Sequence, residues 1–171
     1  NMAATLEKLD QKQEALSLFQ TVFDKRRNLL GENHPLTVTA MSNLAAVFFD
    51  LDQYEKALEL QTQVLEKSKK IYEENQYDVI IAMTSLATTL DHLKRYNESS
   101  ALYREILAKR QSTSGEDHPE TIRIMTKLAA ALLETEHFEE SVALFRTILA
   151  KRQKLKGEDH TDTITAIKNL A

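Results

Sequence analysis

One segment of this chain returns every 42 residues, and nothing else in the sequence restricts its fold as strongly. Gly31-Glu32-Asn33-His34-Pro35 comes back as Glu73-Glu74-Asn75-Gln76-Tyr77, then as Gly115-Glu116-Asp117-His118-Pro119, then as Gly157-Glu158-Asp159-His160-Thr161. Leu44-Ala45 recurs at the same spacing as Leu86-Ala87, Leu128-Ala129 and Leu170-Ala171, with Met2-Ala3 as the first copy. Further positions keep step: Val38, Ile80, Ile122 and Ile164; Met41, Met83, Met125 and Ile167; Leu18, Leu60, Leu102 and Leu144; Val22, Val64, Ile106 and Ile148. A fixed period between about 20 and 50 residues marks a chain of stacked supersecondary units, each burying its apolar face against its neighbours.

Each unit reads as two helices. In the copy that starts at Pro35, Val38, Met41, Leu44, Ala45 and Phe48 fall three or four apart, and Leu58, Leu60, Val64, Leu65 and Ile71 form a second stripe. The break between them, Leu51 to Gln53, with its equivalents Leu93 to Arg95 and Thr135 to His137, is short enough only for an antiparallel hairpin. With three Gly and two Pro in 171 residues, the chain lacks the turn formers that an all-β protein uses freely. Asn33, Asn75, Asp117 and Asp159 are the expected N-caps, with Asp78, Glu120 and Asp162 three residues beyond the last three. Pro35 and Pro119 belong in a first turn, where a missing N–H costs little. Basic clusters, Lys25-Arg26-Arg27, Lys67 with Lys69-Lys70, Lys109-Arg110 and Lys151-Arg152, close the second helices and suit the negative end of the helix dipole.

Small residues hold two positions: Ala3, Ala45, Ala87, Ala129 and Ala171 on first helices, and Ala15, Ala57, Ser99 and Ser141 near the start of second helices. Facing small side chains let the two helices of a hairpin approach closely. The Leu-Ala pair, the large apolar residue three further on (Phe48, Leu90, Leu132), the aromatic before the second helix (Tyr54, Tyr96, Phe138) and the small residue three later together resemble the tetratricopeptide repeat. The 42-residue period and the Gly-Glu-Asp-His-Pro hinge are similar to the lengthened repeats of kinesin light chain and nephrocystin-type proteins. One departure is that Met41, Met83 and Met125 stand where a large aromatic often opens the first helix.

The resemblance covers the whole chain and implies an all-α, right-handed superhelical solenoid of antiparallel hairpins. Residues 1–171 are then one array, with repeats of about 1–34 (truncated at its start), 35–76, 77–118 and 119–160, and 161–171 opening a further first helix. Both ends are expected to cut through first helices, and they are the surfaces through which copies would associate. The resemblance also implies that first helices line a concave face.

Helical spacing, once core positions are removed, picks Thr39, Ser42, Asn43, Ala46, Phe49 and Asp50 for that face, then Ile81, Thr84, Ser85, Thr88, Asp91 and His92. Arg123, Thr126, Lys127, Ala130, Leu133 and Glu134 follow, and Thr165, Lys168 and Asn169 begin the last copy. Core positions repeat from copy to copy while these differ, as expected if packing fixes one set and partner choice the other; freely drifting solvated faces would look the same. Thr39, Asn43, Phe49, Ile81, Ser85, Thr88, Arg123, Lys127, Leu133 and Asn169 form the expected peptide-binding set. Asn43 and Asn169 both donate to and accept from a peptide backbone. Phe49, Ile81 and Leu133 give apolar contact, and Arg123 with Lys127, one turn apart, would clamp a carboxylate or phosphate.

Other chemistries find little support. A net charge of −4, with both signs spread along the chain, gives no field to gather nucleic acid or an anionic membrane. The longest apolar runs, Leu44 to Phe49 and Leu128 to Leu133, fall far short of the roughly 20 residues that cross a bilayer. No Cys is present, which suits a reducing compartment and makes the cytoplasm the expected location. His34, His118 and His160 recur a whole repeat apart, too far to share a metal ion, so they read as helix-start structure. No metal, cofactor or nucleophile–base motif is expected, hence no enzyme. The function that the resemblance implies is a protein-interaction scaffold or adaptor that holds a partner peptide or helix in the groove, as in cargo recognition by kinesin light chain. The alternative is a regulatory or sensor arm of a larger signalling protein such as a nucleotide-binding ATPase.

Overall fold

The computed structural model describes residues 2–73, 76–158 and 160–168, and these are all-α. The chain forms two compact units, Asn1–Leu93 and Lys94–Ala171. The first carries α1 (Met2–Leu30), α2 (Pro35–Asp50), α3 (Tyr54–Ile71) and α4 (Tyr77–His92). The second carries α5 (Tyr96–Ser114), α6 (Pro119–Glu134), α7 (Phe138–Lys156) and α8 (Thr161–Lys168). Within each unit every helix packs on the next. The turns at 51–53, 93–95 and 135–137 occupy the breaks read from the sequence, and in each the middle residue, Asp52, Lys94 or Glu136, takes a left-handed φ of 57 to 62°. Within the units, at 51–53 and 135–137, that conformation reverses the chain in three residues at a steric cost that the hairpin's packing offsets. In the first of these turns the Tyr54 hydroxyl donates to Asp52 Oδ1 at 2.5 Å.

The helix starts differ by one residue from expectation. His34 and His118, not Asn33 and Asp117, are the N-caps: each has extended backbone, and its Nδ1 accepts the N–H two residues on at 3.2 Å, from Leu36 and Glu120. His160 does the same with the Asp162 N–H at 3.1 Å. Asn33 and Asp117 are drawn away by lysines far along the chain, Lys67 Nζ reaching Asn33 Oδ1 at 2.9 Å and Lys151 Nζ reaching Asp117 Oδ1 at 2.6 Å. Asn75 and Asp159 lie outside the described residues. The histidines are thus built into helix starts, as the sequence suggested, by a hydrogen bond it did not specify.

A second device supports the same loops. Gly115 and Gly157 sit at φ of 86 and 87°, where a side chain is strained, and their carbonyls accept from the buried hydroxyls of Thr121 and Thr163 at 2.9 and 2.8 Å. Gly31 and Thr37 share those positions; in the remaining copy both change together, to Glu73 and Val79.

The first copy departs from the period. Its Met2–Ala3 and Ala15 were expected on two helices, but α1 runs unbroken through the position of the turn. At that place Lys12 replaces the aromatic of Tyr54, Tyr96 and Phe138. On α1, Leu18 and Val22 are 61% and 40% exposed, whereas Val64, Ile106 and Ile148 at the Val22 position are buried. Ile164 and Ile167 on α8 are likewise exposed although their counterparts on α2, α4 and α6 are buried.

Phe23, Val38, Met41, Leu44 and Val64 make the core of the first unit, flanked by Phe19, Phe48 and Leu60. Ile122, Met125, Ala129, Phe145, Ile148 and Ala166 make that of the second. The small residues face each other as expected: Ala45 and Ala57 are buried in the first unit, Ala129 and Ser141 in the second, where Ser141 Oγ donates to the Ala129 carbonyl at 2.7 Å.

The basic clusters bond to helix starts, Arg26 and Arg152 to that of the next hairpin and Lys151 to that of its own. Arg26 donates to the Leu36 carbonyl at 2.9 Å and Arg152 to the Asp162 carbonyl at 2.8 Å, while Lys151 pairs with Asp117 and, at 3.4 Å, Glu116. Hydrogen bonding to Lys151 holds the Asp117 carboxyl below its ordinary range. Because the folded value is the lower one, this pair stabilises fully above the unfolded aspartate pKa, and its contribution fades as pH falls through the folded value. Asp117→Asn is therefore expected to lower the thermal midpoint at pH 7 and to leave it closer to wild type at pH 3; an equal shift at both pH values would contradict the pairing.

Candidate functional site

In the first unit α2 and α4 stand side by side over α3, and the space between them opens as two clefts. The first, of 190 Å3, lies toward the helix starts, with Thr39 and Asn43 on one wall, Ile81 on the other, and Val64 and Ser68 on the floor. The second, of 200 Å3, lies toward the far end of α2, between Ala46, Phe49 and Asp50 on one side and Thr84, Ser85 and Thr88 on the other, above Gln61. Of the face residues chosen from the sequence in this unit, Thr39, Asn43, Phe49, Ile81, Ser85 and Thr88 line one or other cleft, as do Ser42, Ala46, Asp50 and Thr84, whereas Asp91 and His92 line neither. The reason is periodic: positions three, four and seven apart on α2 and α4 share one side of each helix.

The walls are held by local contacts. Thr39, Thr84 and Thr88 donate their hydroxyls to the carbonyls of Pro35, Ile80 and Thr84 at 2.9, 2.7 and 2.9 Å. Phe49 is fixed by edge contacts to Tyr54 and His92, with ring centroids 5.3 and 4.8 Å away, and Tyr54 stacks on His92 at 4.7 Å. The Lys12 ammonium reaches the Asp50 carbonyl, so the Asp50 side chain remains without an ion pair among the described residues.

In the second unit a cleft of 250 Å3 at the corresponding place is lined by Pro119, Glu120, Ile122, Arg123, Arg152, Leu155 and Asp162. Arg123 stands there as expected, but its guanidinium is already taken by Glu120, with Nε and Nη2 at 3.0 and 2.7 Å from Oε2. The same contact lowers the Glu120 pKa. Lys127 lies with Nζ 5.9 Å from the Tyr103 ring centroid. A carboxylate or phosphate gripped by this pair would have to displace Glu120. Leu133 is 48% exposed and lines none of these clefts, and Asn169 lies outside the described residues.

The floor residues were missed, because they come from the second helix. Gln61 had a readable signal: the position 42 residues away in either direction, and again beyond, is Phe19, Tyr103 and Phe145, so only one copy of four lacks a ring. Arg152, which donates to both Asp162 O and Thr126 Oγ1, had no comparable signal, since it sits within a basic cluster common to every copy.

A family model of the tetratricopeptide repeat matches residues 1–70 and 78–154. Among solved structures, a kinesin-light-chain-type protein of nearly identical TPR-like repeats from Podosopora anserina aligns with 99% of this chain and 80% of its own, at 22% identity and a TM-score of 0.86; a point variant of that protein aligns equally well. BtubC (BKLC) from P. vanneervenii aligns with 93% of this chain and 64% of its own, at 18% identity and a TM-score of 0.70. No curated protein matches in sequence.

Proposed function

The chain belongs to the tetratricopeptide repeat family, and from that premise we propose that it is a non-catalytic scaffold whose first-helix faces hold an extended peptide or a helix of a partner protein. One observation carries the reading: positions of α2 and α4 that vary between copies, such as Thr39, Asn43, Ala46, Ile81, Ser85 and Thr88, line the clefts of the first unit, above buried residues that repeat, Val38 and Val64 among them. A position freed from packing and placed in a concavity is where partner choice is written at least cost to the fold. Polar groups with unspent hydrogen-bonding capacity, such as the exposed Asn43 amide, can pair with a peptide backbone, and the apolar surface of Ile81 and Phe49 supplies contact area. Affinity near micromolar, about −8 kcal/mol, is the scale for such a contact.

The role is that of an adaptor acting in the cytoplasm, as the likeness to kinesin light chain implies. Among the described residues no helix is long and apolar enough to cross a membrane.

The test is affinity capture from cell lysate with wild type and with an Asn43→Glu, Lys127→Glu double variant. Helical content measured by circular dichroism should be unchanged, and a short set of proteins retained by wild type should be lost by the variant. Retention of the same set by both would place recognition on another surface.

A further inference from the structure

We infer that the cleft floored by Gln61 takes a single basic side chain, arginine or lysine, from a partner peptide lying along the first-helix face of the first unit; the inference rests on that face being the recognition surface. A ring is missing from this place. Where Phe19, Tyr103 and Phe145 supply one, α3 carries Gln61, and beside it lies a cleft of 200 Å3, larger than the roughly 150 Å3 of an apolar cavity that holds benzene. Gln61 is only 6% exposed, yet its side-chain oxygen has no hydrogen-bond partner among the described residues. An acceptor left unpaired in so buried a place is costly, and a position selected for packing alone would have kept the ring. The terminal torsion of a glutamine is soft, so the oxygen can turn to meet an occupant.

The lining specifies the occupant. Ala46, Phe49 and the threonine methyls would clasp an apolar stem. The acceptors available to its tip are Gln61 Oε1, the oxygens of Thr84 and Thr88, whose protons already go to backbone carbonyls, and the Asp50 carboxylate at the rim, which outnumber the donors, the Ser85 hydroxyl and the Gln61 amide N–H groups. No basic side chain lines the cleft. An acidic occupant would meet the like charge of Asp50 with only neutral donors to offset it, and an aliphatic one would leave Gln61 as it is. An alkyl stem ending in cationic N–H donors satisfies both halves.

A displayed library of random peptides, panned on the 171-residue chain and on its Gln61→Phe, Gln61→Met and Asn43→Glu variants, tests this. Peptides kept by wild type and released at least tenfold by Gln61→Phe should share an arginine or lysine at one position. Gln61→Met, which keeps the length of the side chain but removes the acceptor, should shift that position to neutral aliphatic residues, and it carries the test if Gln61→Phe does not fold. The inference is overturned if the released peptides carry an acidic or uncharged residue there, or if both Gln61 variants keep the wild-type set. In the latter case release by Asn43→Glu would leave the recognition face standing and remove only the cleft's assignment. Retention there too, or a library with no wild-type binder, would remove both.

Discussion

Replacing Leu44 with alanine is expected to lower the free energy of unfolding by about 2–5 kcal/mol, while Asn43→Ala, one residue earlier on the same helix, shifts it by less than about 0.5 kcal/mol. Leu44 is 1% exposed and belongs to a cluster drawn from α1, α2, α3 and α4, with Phe23, Val38, Met41, Val64 and Ala82 in it. Four helices cannot all move inward to fill the space of the lost side chain, so the cost includes a cavity as well as the transfer of the missing methyl groups. Asn43 points the other way, into the open cleft above Val64 and Ser68. Urea unfolding with an unchanged slope is the measurement. In a stack of repeats each helix pair depends on its neighbours alone, so amide protection should fall first in α1 to α3. Equal losses for the two variants would mean that the buried and open faces of α2 have been exchanged.

The ease with which this chain's fold is read comes from redundancy. A single apolar stripe such as Val38, Met41, Leu44 and Phe48 suggests a helix; four copies in one register also locate where each helix begins and stops, and α2, α4, α6 and α8 begin at the four positions that the period requires. What resisted reading depends on partners distant in sequence. Asn33 and His34 are both competent to cap α2, and the choice between them is made by Lys67, 34 residues away, which takes the Asn33 oxygen. The continuity of α1 is of the same kind. The period calls for a turn there, but this copy carries Lys12 where Tyr54, Tyr96 and Phe138 supply the aromatic at the other turns.

For the site, periodicity identified which side chains share a face, because that is a property of one helix at a time. It gave no account of the floor, because Gln61 matters only through the space that α2 and α4 leave above it. The engagement of Arg123 was within reach: Glu120 stands three residues before it, a spacing at which helical ion pairs form.

The close approach of paired helices demands opposite outcomes at one position. Ala57→Leu is expected to cost about 1–3 kcal/mol, whereas Ala57→Ser should stay within about 1 kcal/mol of wild type. Ala57 is fully buried, and Ala45, its counterpart in the small-residue pairing of α2 with α3, is 1% exposed. A leucine there has no empty volume to enter and must push α3 away from α2. A serine fits, because the second unit already has one at this position: Ser141 donates to the carbonyl of Ala129, the residue that corresponds to Ala45. The displacement also reaches the clefts, for Gln61 lies one turn beyond Ala57 on the same helix and forms the floor between α2 and α4. Ala57→Leu should therefore weaken whatever peptide the first unit holds, in proportion to its loss of thermal midpoint, while Ala57→Ser leaves both unchanged. If leucine were tolerated with no loss of stability, the two helices would not be in the contact that their small residues imply.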